Sequence, residues 1–138
     1  VLNAANTYTG PTTVSAGTLV LGAANAISGS SPVVLAGGTL NVGNFSPSLG
    51  TLKITNDSTI ALGSGTLNFA VSSGVTWTAG KTLTLTGTLG ATSLKFGNSA
   101  SALDVEQVAL IRYEGGGVHL DADGYVVSNP RGSVMRFR

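Results

Sequence analysis

Residues 6–22 read NTYTGPTTVSAGTLVLG, and their last six, GTLVLG, form a word that keeps returning. It reappears as GTLNVG at 38–43, STIALG at 58–63, GTLNFA at 65–70, KTLTLTG at 81–87 and TSLKFG at 92–97. Inside each word the large apolar residues alternate: Leu19 and Leu21, Leu40 and Val42, Ile60 and Leu62, Leu67 and Phe69, Leu83 and Leu85, Leu94 and Phe96. Strict alternation sends one row of side chains inward and the next outward, which is the mark of a strand with one buried face. Gly-rich separators (SAG, LAGG, LGSG, TAGK) stand between the words and supply corners.

The spacing of the words carries the architecture. Leu19, Leu40 and Ile60 are 21 and 20 residues apart, and Leu83 follows 23 later. Secondary words sit between them at Val14, Val34 and Leu52. A period of roughly 20 residues holding two or three short strands indicates a solenoid, because one turn cannot bury its own inward row and must stack on the next. The sequence therefore predicts an all-β parallel β-solenoid, or β-helix, of ~20-residue turns. An antiparallel sandwich is the competing architecture. It favours two-residue hairpin turns such as Asp-Gly, and DG at Asp123–Gly124 is the one that fits.

Composition agrees. Charged residues make up 9% of the 138, the first being Lys53 and Asp57, where globular chains carry about a quarter. Backbone pairing and an aliphatic column hold stacked coils together without ion pairs. A net charge of +1 gives a polyanion little to bind, so no nucleic-acid partner is expected. No apolar run approaches the ~20 residues of a membrane helix, so no membrane insertion is expected either. The absence of cysteine excludes disulfides, thiolate metal sites and a Cys nucleophile. A start at Val1, with no Met and no signal segment, reads as a processed product and predicts export.

Beyond Gly97 the repeat stops. The division expected is residues 1–97 as solenoid repeats and 98–138 as a C-terminal part of the same domain, a cap or junction. SALDVEQVALIRY predicts a short helix near 104–111, with Asp104 as N-cap, Gln107 completing a box, and Leu103 and Val108 forming a staple. IRY, VHL and YVV follow as strands, with EGGG and DADG as turns, and the chain ends in the basic tail RGSVMRFR.

NTYTGPTTVSAGTLVLG resembles the passenger-associated repeat of bacterial autotransporter-type proteins, N-T-Y-[TS]-G-x-T-x-[VI]-x-x-G-T-L. The stretches STIALGSGTLNFA, VTWTAGKTLTLTGTLG, SLKFGNSASALDVEQVALIRY and LDADGYVV are similar to the C-terminal portion of the same large secreted proteins. The resemblance covers most of the chain. It implies an exported, right-handed β-solenoid, extracellular or on the outer surface of a Gram-negative-type bacterium. It implies no reaction. Chains of that family are usually far longer and end in a translocator barrel or sorting anchor, whereas this sequence ends at Arg138.

Candidate chemistry is sparse. His119 is the single histidine and has no triad partner in sequence. DADG at 121–124 begins like a calcium loop but lacks the later ligands and the closing Glu, so a turn with a local Asp hydrogen bond is expected. Asp121 and Asp123 are paired carboxylates to weigh for polysaccharide cleavage, and the cluster of Asp, Lys and Arg that such a site would use is missing. Tyr8, Trp77, Tyr113 and Tyr125 are too scattered to predict a sugar platform, and Trp77, alternating with Val75, is expected in a buried or groove position. No enzyme activity, cofactor or metal is expected.

What remains is the shape. A solenoid has open ends with unpaired strand edges. The expectation is a structural subunit that joins copies of itself head to tail into an extracellular filament or surface matrix. Val1, Leu2, Tyr8, Val14, Leu19 and Leu21 are the candidate assembly edge. Val134, Met135, Arg136, Phe137 and Arg138 are the candidate C-terminal junction, laid on a neighbour as an added strand. A fragment of a larger surface adhesin is the alternative, a polysaccharide-active enzyme a third. A surface polysaccharide is a second candidate partner.

Overall fold

A computed structural model describes residues 1–129. The chain winds as a parallel β-solenoid. The first coil holds β1 (Thr12–Val14) and β2 (Thr18–Val20). The second holds β3 (Val33–Leu35), β4 (Thr39–Asn41) and β5 (Ser48–Leu49). The third holds β6 (Leu52–Ile54), β7 (Ser58–Ala61) and β8 (Leu67–Phe69). The fourth holds β9 (Leu83–Thr86) and β10 (Leu94–Phe96). Helix α1 (Val105–Val108) and β11 (Ile111–Tyr113) come next, and the hairpin β12 (Val118–Leu120) and β13 (Val126–Ser128) ends the described chain.

Three walls result. The first stacks β1-β3-β6, the second β2-β4-β7-β9-β11, and the third β5-β8-β10, every pairing parallel. Strands β12 and β13 pair antiparallel. The inward rows form continuous columns: Val14, Leu35 and Ile54 in the first wall, Leu40, Ile60 and Leu85 in the second, Leu49, Phe69 and Phe96 in the third, all buried. Each fully buried Leu or Ile contributes ~2 kcal/mol over leaving it in water. Phe69 and Phe96 stack with ring centroids 5.2 Å apart, and Trp77 tilts against Phe96 at 6.5 Å.

Two details differ from the sequence reading. Leu83 is not the next member of the Leu19–Leu40–Ile60 column. Ile60 pairs with Leu85, and Leu83 pairs with Ser58. The step is therefore 25 residues, and the next, from Leu85 to Tyr113, is 28. The added residues sit in the connection between β8 and β9 and in the segment carrying α1. A shift of two leaves the same side chains facing inward, so alternation alone could not detect it. In the first wall Val34 faces outward between Val33 and Leu35, which are the buried pair.

The helix covers one turn, Val105–Val108, following Asp104. It stops short of the expected 111 because Ile111 is already in β11, opposite Leu83. The second wall thus runs one strand past the end of the regular repeat. Leu103 is buried, and Val108 is half-buried against the core. Close stacking leaves no room for side chains at some corners. A β-carbon on Gly63 would fall onto the carbonyl oxygen of Gly43, one coil away.

Candidate functional site: the two ends of the solenoid

In a parallel ladder, alternate residues of a strand bond to one neighbour and the residues between them to the other. At the N-terminal end, the Thr12 N–H donates to Pro32 O (2.8 Å) and Val14 O accepts from Ala36 N–H (2.9 Å), so both face β3. Thr13, between them, turns its N–H and C=O outward along the axis, where no strand meets it among the described residues. In β2, Gly17 O and the Leu21 N–H bond toward β4. Thr18 and Val20 face the rim. Val20 O accepts the Leu2 N–H at 2.9 Å, and Leu2 O accepts the Gly22 N–H at 2.7 Å. Residues 1–6 therefore begin a further coil: Leu2 bridges Leu21 in parallel, and the Asn6 side chain donates to Ala26 O at 2.7 Å. Thr13 and Thr18 remain the open part of this rim.

The C-terminal rim differs on every wall. On the first, Leu52 and Ile54 face outward from β6. The Leu52 N–H donates to Ser72 Oγ (3.0 Å), Leu52 O accepts from Trp77 Nε1 (2.8 Å), and Ile54 O accepts from the Thr78 N–H (2.8 Å). On the second, Ile111 O accepts from Arg112 Nη1 (3.0 Å), while Tyr113 exchanges both backbone bonds with Gly116 at 2.9 Å. On the third, the hairpin lies antiparallel to β10. Lys95 bridges Tyr125, and the Phe96 N–H donates to Gly124 O at 2.9 Å. Gly124 has φ +91° and sits against Phe96 O, where a β-carbon has no space. Lys95 Nζ also lies 5.1 Å from the Tyr125 ring centroid, a cation–π contact.

Gln107 ties this cap together. Its side chain is buried, its Oε1 accepts the Asp104 N–H, and its Nε2 donates to Ser72 O and Val75 O, each bond 2.7 Å. The sequence marked Gln107 as a capping partner but gave no sign of the second role, since the loop it binds is more than 30 residues away.

The candidate edge residues divide. Val1 and Tyr8 are exposed, Leu2 and Leu19 are half-buried against the core, and Val14 and Leu21 are fully part of it. Only their backbones belong to the rim region. Val134, Met135, Arg136, Phe137 and Arg138 lie outside the described residues. His119 is exposed on β12 with Nδ1 2.7 Å from Asn129 Oδ1. Asp121 Oδ1 accepts the N–H groups of Asp123 (2.9 Å) and Tyr125 (3.0 Å), which is the expected turn. Trp77 is buried, with its indole N–H spent on Leu52 O. Tyr8 belongs to the first coil and Tyr125 to the far cap, so they form no shared platform. Among the described residues no group of His, Asp and Glu is placed to hold a metal ion, and no helix is long and apolar enough to cross a membrane.

A search of curated proteins returned no match, and neither did a search of solved structures. The family model of the passenger-associated-transport-repeat matches twice, at residues 1–21 and 16–42. Those spans contain β1 to β4, the coils next to the open rim. Repeats of this kind are typical of secreted or surface-displayed Gram-negative proteins. Residues 1–42 of this solenoid thus match the model of the passenger-associated-transport-repeat, the autotransporter-type repeat that NTYTGPTTVSAGTLVLG resembles.

Proposed function

We propose that this chain is a structural segment of a surface-displayed, autotransporter-type passenger, a rod whose open N-terminal rim takes further coils. The observation that carries this reading is the asymmetry of the ends: among the described residues no strand meets the backbone of Thr13 and Thr18, while Leu52 and Tyr113 have both backbone groups bonded within the chain and the Ile54 O, Ile111 O and Phe96 N–H are bonded as well. Each further coil stacked on the open rim buries an apolar row and adds a nearest-neighbour interface, so a repeat array gains stability with length. The test is to place a second copy of residues 1–19 before Val1, which keeps the register of Leu2 on Leu21. The expected result is a longer rod with a higher melting temperature. An added coil that stays unstructured and leaves the melting temperature unchanged contradicts the reading.

The open rim also supports a second reading, in which the strand that fills it comes from another copy and the product is a head-to-tail filament or matrix. Because the described C-terminal walls are closed, the copy would have to offer residues beyond Asn129. Fibres in negative-stain images of the purified chain, lost in Thr13→Pro, are the result expected for it. Monomers at all concentrations contradict it.

A further inference from the structure

The corner that leads into the first wall is built alike in successive coils. GPTTV at 10–14 lies over SPVVL at 31–35, because Thr12, Thr13 and Val14 pair with Val33, Val34 and Leu35. Val33 and Leu35 in turn pair with Leu52 and Ile54, which puts Gly10, Ser31 and Gly50 at one corner position. Ala70 continues it, its N–H donating to Gly50 O at 3.1 Å. Each contact runs from a donor of the later coil to a carbonyl of the earlier one. Ser31 Oγ donates to Gly10 O at 2.6 Å, and the Gly50 N–H donates to Ser31 O at 3.1 Å. The carbonyl above is therefore seated in two ways. Ser31 meets it with a hydroxyl. Gly50 meets it with its own N–H, and the carbonyl then takes the place of the missing side chain: a β-carbon on Gly50 would lie 2.7 Å from Ser31 O.

Gly10 holds this corner in the first coil, and its local conformation does not call for glycine. Its φ lies outside the left-handed region, and a β-carbon built on it meets no atom of the described residues within 4 Å. The following proline does not require it either, because Ser31 precedes Pro32 at the same corner. We propose that Gly10 is the seat for the corner carbonyl of a preceding coil and decides which coils the open rim accepts. The occupant is a further coil of the same repeat type, whose carbonyl sits on Gly10 as Ser31 O sits on Gly50. This rests on the rim reading above and adds a third contact point to Thr13 and Thr18, at the corner before β1. The seat accepts a serine, whose hydroxyl replaces the lost N–H contact as at Ser31. It rejects an alanine, whose methyl group crowds the carbonyl off the N–H and offers no donor in its place.

The full chain with a second copy of residues 1–19 before Val1 tests the seat, because its added step equals the step from Ser31 to Gly50. In that extended chain, Gly10→Ala in the original coil lowers the melting temperature by about 3 °C, the shift expected for one lost hydrogen bond in a chain of this size. Gly10→Ser in the same chain keeps most of the stability. In the unextended chain Gly10→Ala leaves the melting temperature unchanged or slightly raised, since alanine at an unstrained position narrows the unfolded ensemble. Equal losses in the two chains overturn the seat. So does an extended chain that melts higher than the original and is indifferent to Gly10→Ala, and the rim reading then still stands. An added coil that raises nothing with Gly10 intact overturns the rim reading and the seat with it. Dimers or fibres of the unextended chain that Gly10→Ala abolishes assign the seat to a second copy, which also overturns the proposal.

Discussion

Gln107 Nε2 lies 2.7 Å from Ser72 O, a bond between residues 35 positions apart that fastens α1 to the loop sealing the first wall. The same Ser72 accepts the Leu52 N–H on its hydroxyl oxygen, so one loop joins the helix to the last strand of that wall. Replacing Gln107 with Leu removes three hydrogen bonds and leaves buried carbonyls unpaired, at a cost of about 3 kcal/mol. Thermal or urea unfolding of Gln107→Leu measures it. Gln107→Glu places a carboxylate against two carbonyl oxygens. The folded state then favours the protonated form, so its carboxyl titrates higher folded than unfolded. Stability of this variant is retained at acid pH and falls as pH rises through the carboxylate range.

Gly63 stacks directly on Gly43, whose φ of +59° turns its carbonyl into the space a side chain would need. Gly63→Ala must push two coils apart, which costs about 2 kcal/mol by the measure of overpacked interiors. Gly74, where a β-carbon meets nothing within 4 Å, is the control. Urea midpoints of the two alanine variants are expected to separate, with Gly74→Ala close to wild type.

Trp77 acts through its N–H as well as its bulk. Trp77→Phe keeps an aromatic ring near Phe96 but leaves Leu52 O without its donor. A loss of about 2 kcal/mol is expected, read by circular dichroism because the chain has no other Trp. A neutral substitution would mean that another donor takes over at Leu52.

Thr13→Pro removes an N–H that faces the open rim, at a position where an edge strand tolerates proline. The melting temperature is expected to stay within a few degrees of wild type, since this N–H has no partner among the described residues. Charges placed at Val14 or Leu19 would be poorer tests of the same rim. Val14 is buried and Leu19 packs on the core, so either change unfolds the first coil before it tests an edge.

Much of this architecture is legible in the sequence because alternation and period are local signals. Leu40 with Val42 and Ile60 with Leu62 announce strands, and the 20- and 21-residue steps announce stacking. What the period missed is where loops lengthen. Leu83 and Leu85 present identical alternation, and only the length of the connection after β8 selects Leu85 as the partner of Ile60. The closed rim was equally hidden. Ser72, Trp77 and Gln107 each seal it with a hydrogen bond to a backbone group 20, 25 and 35 residues away. Such bonds depend on which coils are adjacent, which no single segment encodes. The capping role of Gln107 was visible because its partner, Asp104, is three residues away.

One rim of the solenoid is open and the other bonded within the chain, and residue-resolved amide hydrogen exchange on the dilute chain reads both at once. Fast exchange is expected at Thr13 and Thr18 beside protected Thr12 and Leu21, with protection at Leu52, Phe96 and Tyr113 at the far end. Protection of Thr13 and Thr18 equal to that of their neighbours, or rapid exchange at Leu52, Phe96 and Tyr113, would contradict it.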